Sequence, residues 1–224
     1  KVLEAGYDYG HNTHSSIDHT YRIETATQKE KGKYMDISGN KATAYGLIAA
    51  AEKTGKTLYL GSYPITPATD ILHELAKHKS LGVVTVQFED EIAGCASAVG
   101  ASFGGALAVT STSGPGVCLK SEAMNLAVMT ELPLVIINVQ RGGPSTGLPT
   151  KSEQSDLLQA LFGRNGESHM PVIAASSPTD CFYKAYEAAK IALEHATPVI
   201  LLTDAFIANG TGAFKVPEIS GMDA

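Results

Sequence analysis

The sequence has no tryptophan, no paired cysteines and no block of basic residues. Its three cysteines, Cys95, Cys118 and Cys181, stand far apart. That excludes a disulfide framework and a local cysteine-ligated metal or cluster motif, and a reducing cytoplasmic compartment fits best. With 17 Lys+Arg against 23 Asp+Glu the net charge is −6, so nucleic acid is not an expected partner. No apolar run approaches the roughly 18 residues that a membrane span needs, and the opening KVLEAGYDYG lacks an apolar signal core. Internal repeats and low-complexity tracts are also missing. What remains is an ordinary globular composition: 224 residues, 44% hydrophobic and 18% charged. That is enough for one large domain, or for a domain with an appended arm. The chain opens without Met and closes at GMDA after a Gly-rich stretch, as a segment of a longer polypeptide would.

Residues 1–38 are polar and show no steady period, and read as a connecting arm. They carry His11, His14 and His19, but the spacing is irregular and a solvated linker is the better reading than a metal site. From Ser38 the pattern changes. Ser38 or Asn40 can cap a helix that Gly55 stops. Strand-like runs then follow at 57–63, 82–88, 106–112, 133–141, 171–176 and 197–204, with helical patterns between them. The strands read as continuous apolar runs, which is the mark of a parallel sheet buried on both faces. The expected fold is therefore α/β, a three-layer parallel sheet with helices on both faces. It should span residues 39–212, after an arm at 1–38 and before a tail at 213–224. Right-handed crossovers gather the post-strand loops YPITP, FEDE, TSTSGPG and QRGGPSTGLPT along one edge, where such sheets bind ligands.

Four features on that edge carry candidate chemistry. Glu91 heads a helix of very small residues, and no neighbour in sequence offers it a partner. It is either a first-turn acid favoured by the helix dipole, or an enclosed carboxyl able to share a proton with a basic ring nitrogen. SGPG (113–116) joins a strand to a helix. It lacks the Gly-Lys-Ser/Thr of a P-loop, and a tight turn is the better reading than an anion cradle. Arg141 ends a strand and enters a loop with Ser145, Thr146 and Thr150. It is either a surface charge or a fork for a carboxylate or phosphate. Tyr63 and Thr66 lie in a loop held by two prolines, which is a rigid turn or a ligand contact. Cys95 and Cys118 fall in helical segments and read as small core residues.

Taken together, these motifs are more specific than any one of them. The run from Glu91 to Gly116 resembles the pyrimidine-binding domain of thiamine pyrophosphate enzymes. YPITP and RGGPSTGLPT resemble the alpha subunit of 2-oxoacid:ferredoxin oxidoreductases, the second motif leaning toward the 2-oxoglutarate members. The resemblance covers roughly residues 38–212, and EAGYDYG (4–10) is similar to the connector in chains where a gamma domain precedes the alpha domain. It implies that Glu91 hydrogen-bonds the aminopyrimidine nitrogen and so activates the thiazolium carbon. It also implies that Arg141 holds the substrate carboxylate, and that Thr66 and Thr150, with Tyr63, line that pocket. Ser113 and Gly114 become a wall beside the cofactor ring. The acyl group would pass to coenzyme A and the electrons to ferredoxin.

No GDG-type metal–diphosphate motif and no cysteine cluster is present, so the resemblance places magnesium, the diphosphate and an iron–sulfur cluster on a beta subunit. The chain alone would be inactive. The same chemistry on pyruvate or a branched-chain 2-oxoacid is one alternative. A non-catalytic assembly domain that keeps the fold is another.

Overall fold

The computed structural model describes residues 1–13, 21–24 and 30–223, in two units, Lys1–Gly32 and Lys33–Ala224. His14 and His19 lie outside the described residues. In the first unit, helix α1 (Val2–Asn12) has no buried residue. Its Tyr7 and His11 rings stack at 6.1 Å across one helical turn. Its apolar and aromatic side chains Val2, Leu3, Tyr7 and Tyr9 are all exposed.

The second unit is built on a six-stranded sheet. Its strands are β2 (Leu58–Ser62), β3 (Val83–Gln87), β4 (Leu107–Thr112), β5 (Leu134–Gln140), β6 (Val172–Ala174) and β7 (Pro198–Asp204). They lie in the order β3-β2-β4-β5-β7-β6, and every pair is parallel. Alternate residues of each inner strand leave for opposite faces, as strand geometry demands. Val135, Ile137, Val199 and Leu201 enter one buried cluster with Leu47 of α2 (Gly39–Thr54), Ile71 of α3 (Thr69–Leu75) and Ala185 of α8 (Asp180–His195). Leu134, Ile136, Ile200 and Leu202 enter another, with Ala98 of α4 (Glu91–Phe103) and Met124 of α6 (Ser121–Met129). The three-layer parallel architecture expected from the apolar runs is the one observed.

Two local choices position the edge. Ser38 caps α2 by accepting from Lys41 N at 3.4 Å, while buried Asn40 donates to Pro67 O at 2.9 Å and so anchors the YPITP loop. On the other face, a Cβ at Gly61 would stand 2.5 Å from Gly94 O, so small residues let α4 lie directly on β2. A separate ribbon pairs β1 (Tyr34–Ser38) antiparallel with β8 (Thr211–Lys215), joining the end of the expected arm to the start of the expected tail. Such a pairing between opposite ends of a unit leaves no local pattern. The helical pattern between the strand runs 106–112 and 133–141 forms two helices, α5 (Gly114–Leu119) and α6, meeting at Lys120.

Candidate active site

The chain runs from β2 outward to β3 and then back across to β4, so the sheet changes direction between β2 and β4. Open parallel sheets bind ligands at the carboxyl ends on either side of such a reversal. There the buried strand end of β4 is polar: Thr110, Ser111 and Thr112 are all at most 1% exposed. Ser111 Oγ lies 3.0 Å from Ser62 Oγ of β2, which fastens the two strand ends together.

Asp90 caps α4 by accepting from Ala93 N at 2.8 Å, which leaves the next side chain, Glu91, pointing inward. Glu91 is 7% exposed and makes no hydrogen bond among the described residues. Its carboxyl oxygens are not among the fully enclosed polar atoms that lack a partner, so they remain open to an incoming donor. Gly116 of α5 gives it room. A Cβ there would overlap Thr112 Oγ1 and stand 2.9 Å from Glu91 Cγ. Gly116→Ala is therefore expected to cost about 1–3 kcal/mol and to turn Glu91 aside. A thermal melt falling by several degrees, with weaker binding of whatever Glu91 faces, is the expected result. Unchanged melting and binding would contradict the close approach.

Arg141 follows β5 and is 6% exposed, buried rather than a surface charge. Its fork joins two loops: Nη1 donates to Thr66 O at 2.6 Å and Nη2 to Thr146 O at 2.7 Å. Nε is buried with no partner. Two of its five donors are used, and the rest are available to a planar acceptor. Arg141 lines a cavity of about 480 Å³ with Gly114, Pro115, Cys118, Thr146 and Asp156. Glu91 is not in its lining. The SGPG turn stands between them, with Gly114 and Pro115 toward the cavity and Gly116 against Glu91. Ser113 is fully buried and its Oγ has no partner.

Of the expected site residues the structure brings Arg141 and Gly114 to the cavity, with Ser113 buried behind the same turn; Thr66 is exposed and meets Arg141 only through its carbonyl. Tyr63 and Thr150 are exposed and do not line the cavity. Cys118 departs from expectation: it is exposed at the cavity, whereas Cys95 is buried and its thiol is pushed up to about 11 by burial. Six-residue α5 turns only part of its surface inward, and Val117 takes the core position instead.

Two residues escaped the sequence reading. Asp156 receives Asn138 Nδ2 at 3.0 Å, and its Oδ2 stands 3.2 Å from where a Gly114 Cβ would be. A carboxylate already facing the SGPG turn makes it a poor anion cradle. Lys120 is fully buried, and its Nζ donates to Thr110 Oγ1 at 2.6 Å. Burial lowers its pKa. Its signal was helical spacing: Val117, Lys120 and Met124 fall on one stripe.

Residues 50–222 match the family model described as pyruvate flavodoxin/ferredoxin oxidoreductase, thiamine diphosphate-binding. The chain belongs to this family. Among similar proteins is the 2-oxoglutarate oxidoreductase subunit KorA of Mycobacterium tuberculosis. It is 59% identical over 99% of this chain and 34% of its own length. The 2-oxoglutarate synthase subunit KorA of Archaeoglobus fulgidus is 42% identical over 84% of this chain and 53% of its own. A solved 2-oxoglutarate:ferredoxin oxidoreductase from Magnetococcus marinus has 2-oxoglutarate, coenzyme A and succinyl-CoA bound. It superposes with a TM-score of 0.87 at 37% identity, over 99% of this chain and 38% of that one. The chain therefore spans about a third to a half of these relatives.

The residues present fit the pyrimidine end of the family's cofactor. A buried, unpartnered carboxyl at Glu91 and an unpartnered hydroxyl at Ser113 flank a glycine turn. No described group of three or more His, Cys, Asp or Glu is placed to hold a metal ion. No described helix is long and apolar enough to cross a membrane.

Proposed function

We propose that this chain is the alpha-subunit half-site of a 2-oxoglutarate:ferredoxin oxidoreductase. The whole enzyme would release carbon dioxide from 2-oxoglutarate, join the succinyl group to coenzyme A, and pass an electron pair singly to ferredoxin. The observation that carries the reading is Glu91: a buried carboxyl, 7% exposed, with no hydrogen-bond partner among the described residues.

Thiamine pyrophosphate supplies the nucleophilic carbon when bound. Glu91 would hold a proton in common with the aminopyrimidine ring nitrogen. Arg141 offers its unused donors to the 2-oxoacid carboxylate, and its two carbonyl bonds keep the fork from turning. Thr66 and Thr150 belong to the two loops that close over this end, with Tyr63 at the entrance to the first. Ser113 and Gly114 form a wall beside the ring. A beta subunit holds the diphosphate, magnesium and an iron–sulfur cluster, and the complex works in the cytoplasm.

The test is co-expression with a beta chain bearing a GDG-type motif and a cysteine cluster. The purified complex should reduce ferredoxin with 2-oxoglutarate and coenzyme A, with kcat/KM at least about tenfold above that for pyruvate, a margin of about 1.4 kcal/mol. A preference for pyruvate or a branched-chain acid would overturn the substrate. An assembled, cofactor-loaded complex with no 2-oxoacid turnover would make this an assembly domain.

A further inference from the structure

Cys118 is the exposed one of the three cysteines, and the chemistry above leaves it without a task. Cys95 and Cys181 are buried, and burial pushes their thiols up to about 11 and about 12. The thiolate is the nucleophilic form, so those two are inert near neutral pH. Cys118 instead lines the cavity of about 480 Å³. Gln159 of α7 (Leu157–Phe162) lines it too, and its Nε2 donates to Cys118 Sγ at 3.6 Å, which holds the sulfur at the wall.

A second feature of the same cavity points to what enters it. Arg141, only 6% exposed, is part of the lining. Nη1 and Nη2 each give one donor to a loop carbonyl and keep another, and Nε has no partner. Unused donors on an enclosed guanidinium suit a planar carboxylate. The other charged group in the lining is Asp156, whose Oδ2 is engaged with Asn138 Nδ2 at 3.0 Å. A cavity of this size accepts a small organic molecule. It therefore presents an anchor for an acid group and a nucleophile in one space.

We propose that Cys118 is a covalent modification site for small unsaturated carboxylates, whose acid group Arg141 holds while the thiol attacks the alkene. The inference rests on the carboxylate role proposed for Arg141. The sulfur forms a bond to one alkene carbon, and the π pair takes up a proton at the other. The thiol's own proton goes to water, so the net change is addition of S–H across the double bond. Nothing leaves and no oxidant is needed. The product is a thioether fixed where the 2-oxoacid should sit, and it closes the site to substrate. An unsaturated dicarboxylate fits best, since it carries the same two acid groups as 2-oxoglutarate.

The test incubates the assembled, cofactor-loaded complex with fumarate and, in parallel, with fumaramide, a neutral molecule of the same shape. Mass spectrometry of the cysteine peptides follows the adducts, and glutathione in the same solution reports the intrinsic reactivity of each probe. Relative to glutathione, Cys118 is expected to favour fumarate over fumaramide by about tenfold or more, the scale of a hydrogen bond to a charged group. Arg141→Lys should lose most of that preference, because a point charge does not replace the fork. 2-Oxoglutarate should protect Cys118, and turnover should fall in step with the adduct. Cys118→Ser should hold its own starting turnover through the incubation. An unlabelled Cys118, or one that reacts no better with fumarate than with fumaramide, would overturn the inference. So would faster labelling of Cys95 or Cys181. Arg141→Ala kinetics separate the two claims. If that variant uses 2-oxoglutarate like wild type, the clamp fails and takes this inference with it. If 2-oxoglutarate use collapses there while wild-type Cys118 shows no preference for fumarate, the Cys118 inference alone is overturned.

Discussion

Glu91→Gln is expected to slow exchange of the thiazolium proton of bound thiamine pyrophosphate by about 10²- to 10⁴-fold, the range of a lost general acid–base group. Subunit assembly and cofactor binding should be retained. Glutamine matches glutamate in shape, so a side chain only 7% exposed is replaced without a void. What disappears is the proton held in common with the ring. The amide cannot take up and return it. Exchange followed by NMR after rapid quenching, alongside size-exclusion chromatography of the complex, gives both readouts. Wild-type exchange in the glutamine variant would remove Glu91 from the chemistry.

Arg141→Ala is expected to lower kcat/KM for the 2-oxoacid by about 10²- to 10³-fold, on the scale of a lost charge-assisted carboxylate contact. The Kd for thiamine pyrophosphate should barely move. Two effects combine in this variant. The donors left over for a carboxylate vanish, and the carbonyls of Thr66 and Thr146 lose the bonds at 2.6 and 2.7 Å that join their loops. Arg141→Lys separates them, since a point ammonium keeps the charge but not the planar fork. It should recover part of the loop order, seen as resistance to proteolysis, and little of the substrate affinity. If alanine weakens cofactor binding as much as 2-oxoacid use, Arg141 is a strut between loops and not a substrate clamp.

The sheet was legible because burial on both faces writes itself as nearly continuous apolar runs, such as PLVIINV before Gln140, broken only by Asn138. Glu91 was legible for a related reason. Taken alone, a carboxylate at the head of a helix is also what the helix dipole favours, and only the small-sided run IAGCASAVGAS behind it points inward. What stayed hidden depends on contacts that chain order does not express. Asp156 meets Asn138 and the SGPG turn only because the loop after β5 folds back across the edge. The carbonyl partners of Arg141 lie in two different loops, and no side-chain motif announces a carbonyl. Lys120 was masked by its company, because LKSEA looks like a solvated helix face. Only its place between Val117 and Met124 betrays it. Cys118 misled in the opposite sense, since helical setting alone does not say which side of a six-residue helix faces the core.

The central claim is that the partner missing from Glu91 is the pyrimidine ring of a cofactor delivered at a subunit boundary. The most direct measurement is a structure of the chain bound to its beta subunit with thiamine pyrophosphate in place. The expected result is a Glu91 carboxylate oxygen about 2.6–3.2 Å from the pyrimidine ring nitrogen, with the diphosphate held by the beta subunit. A ring bound away from Glu91, with that carboxyl facing only this chain, would contradict it.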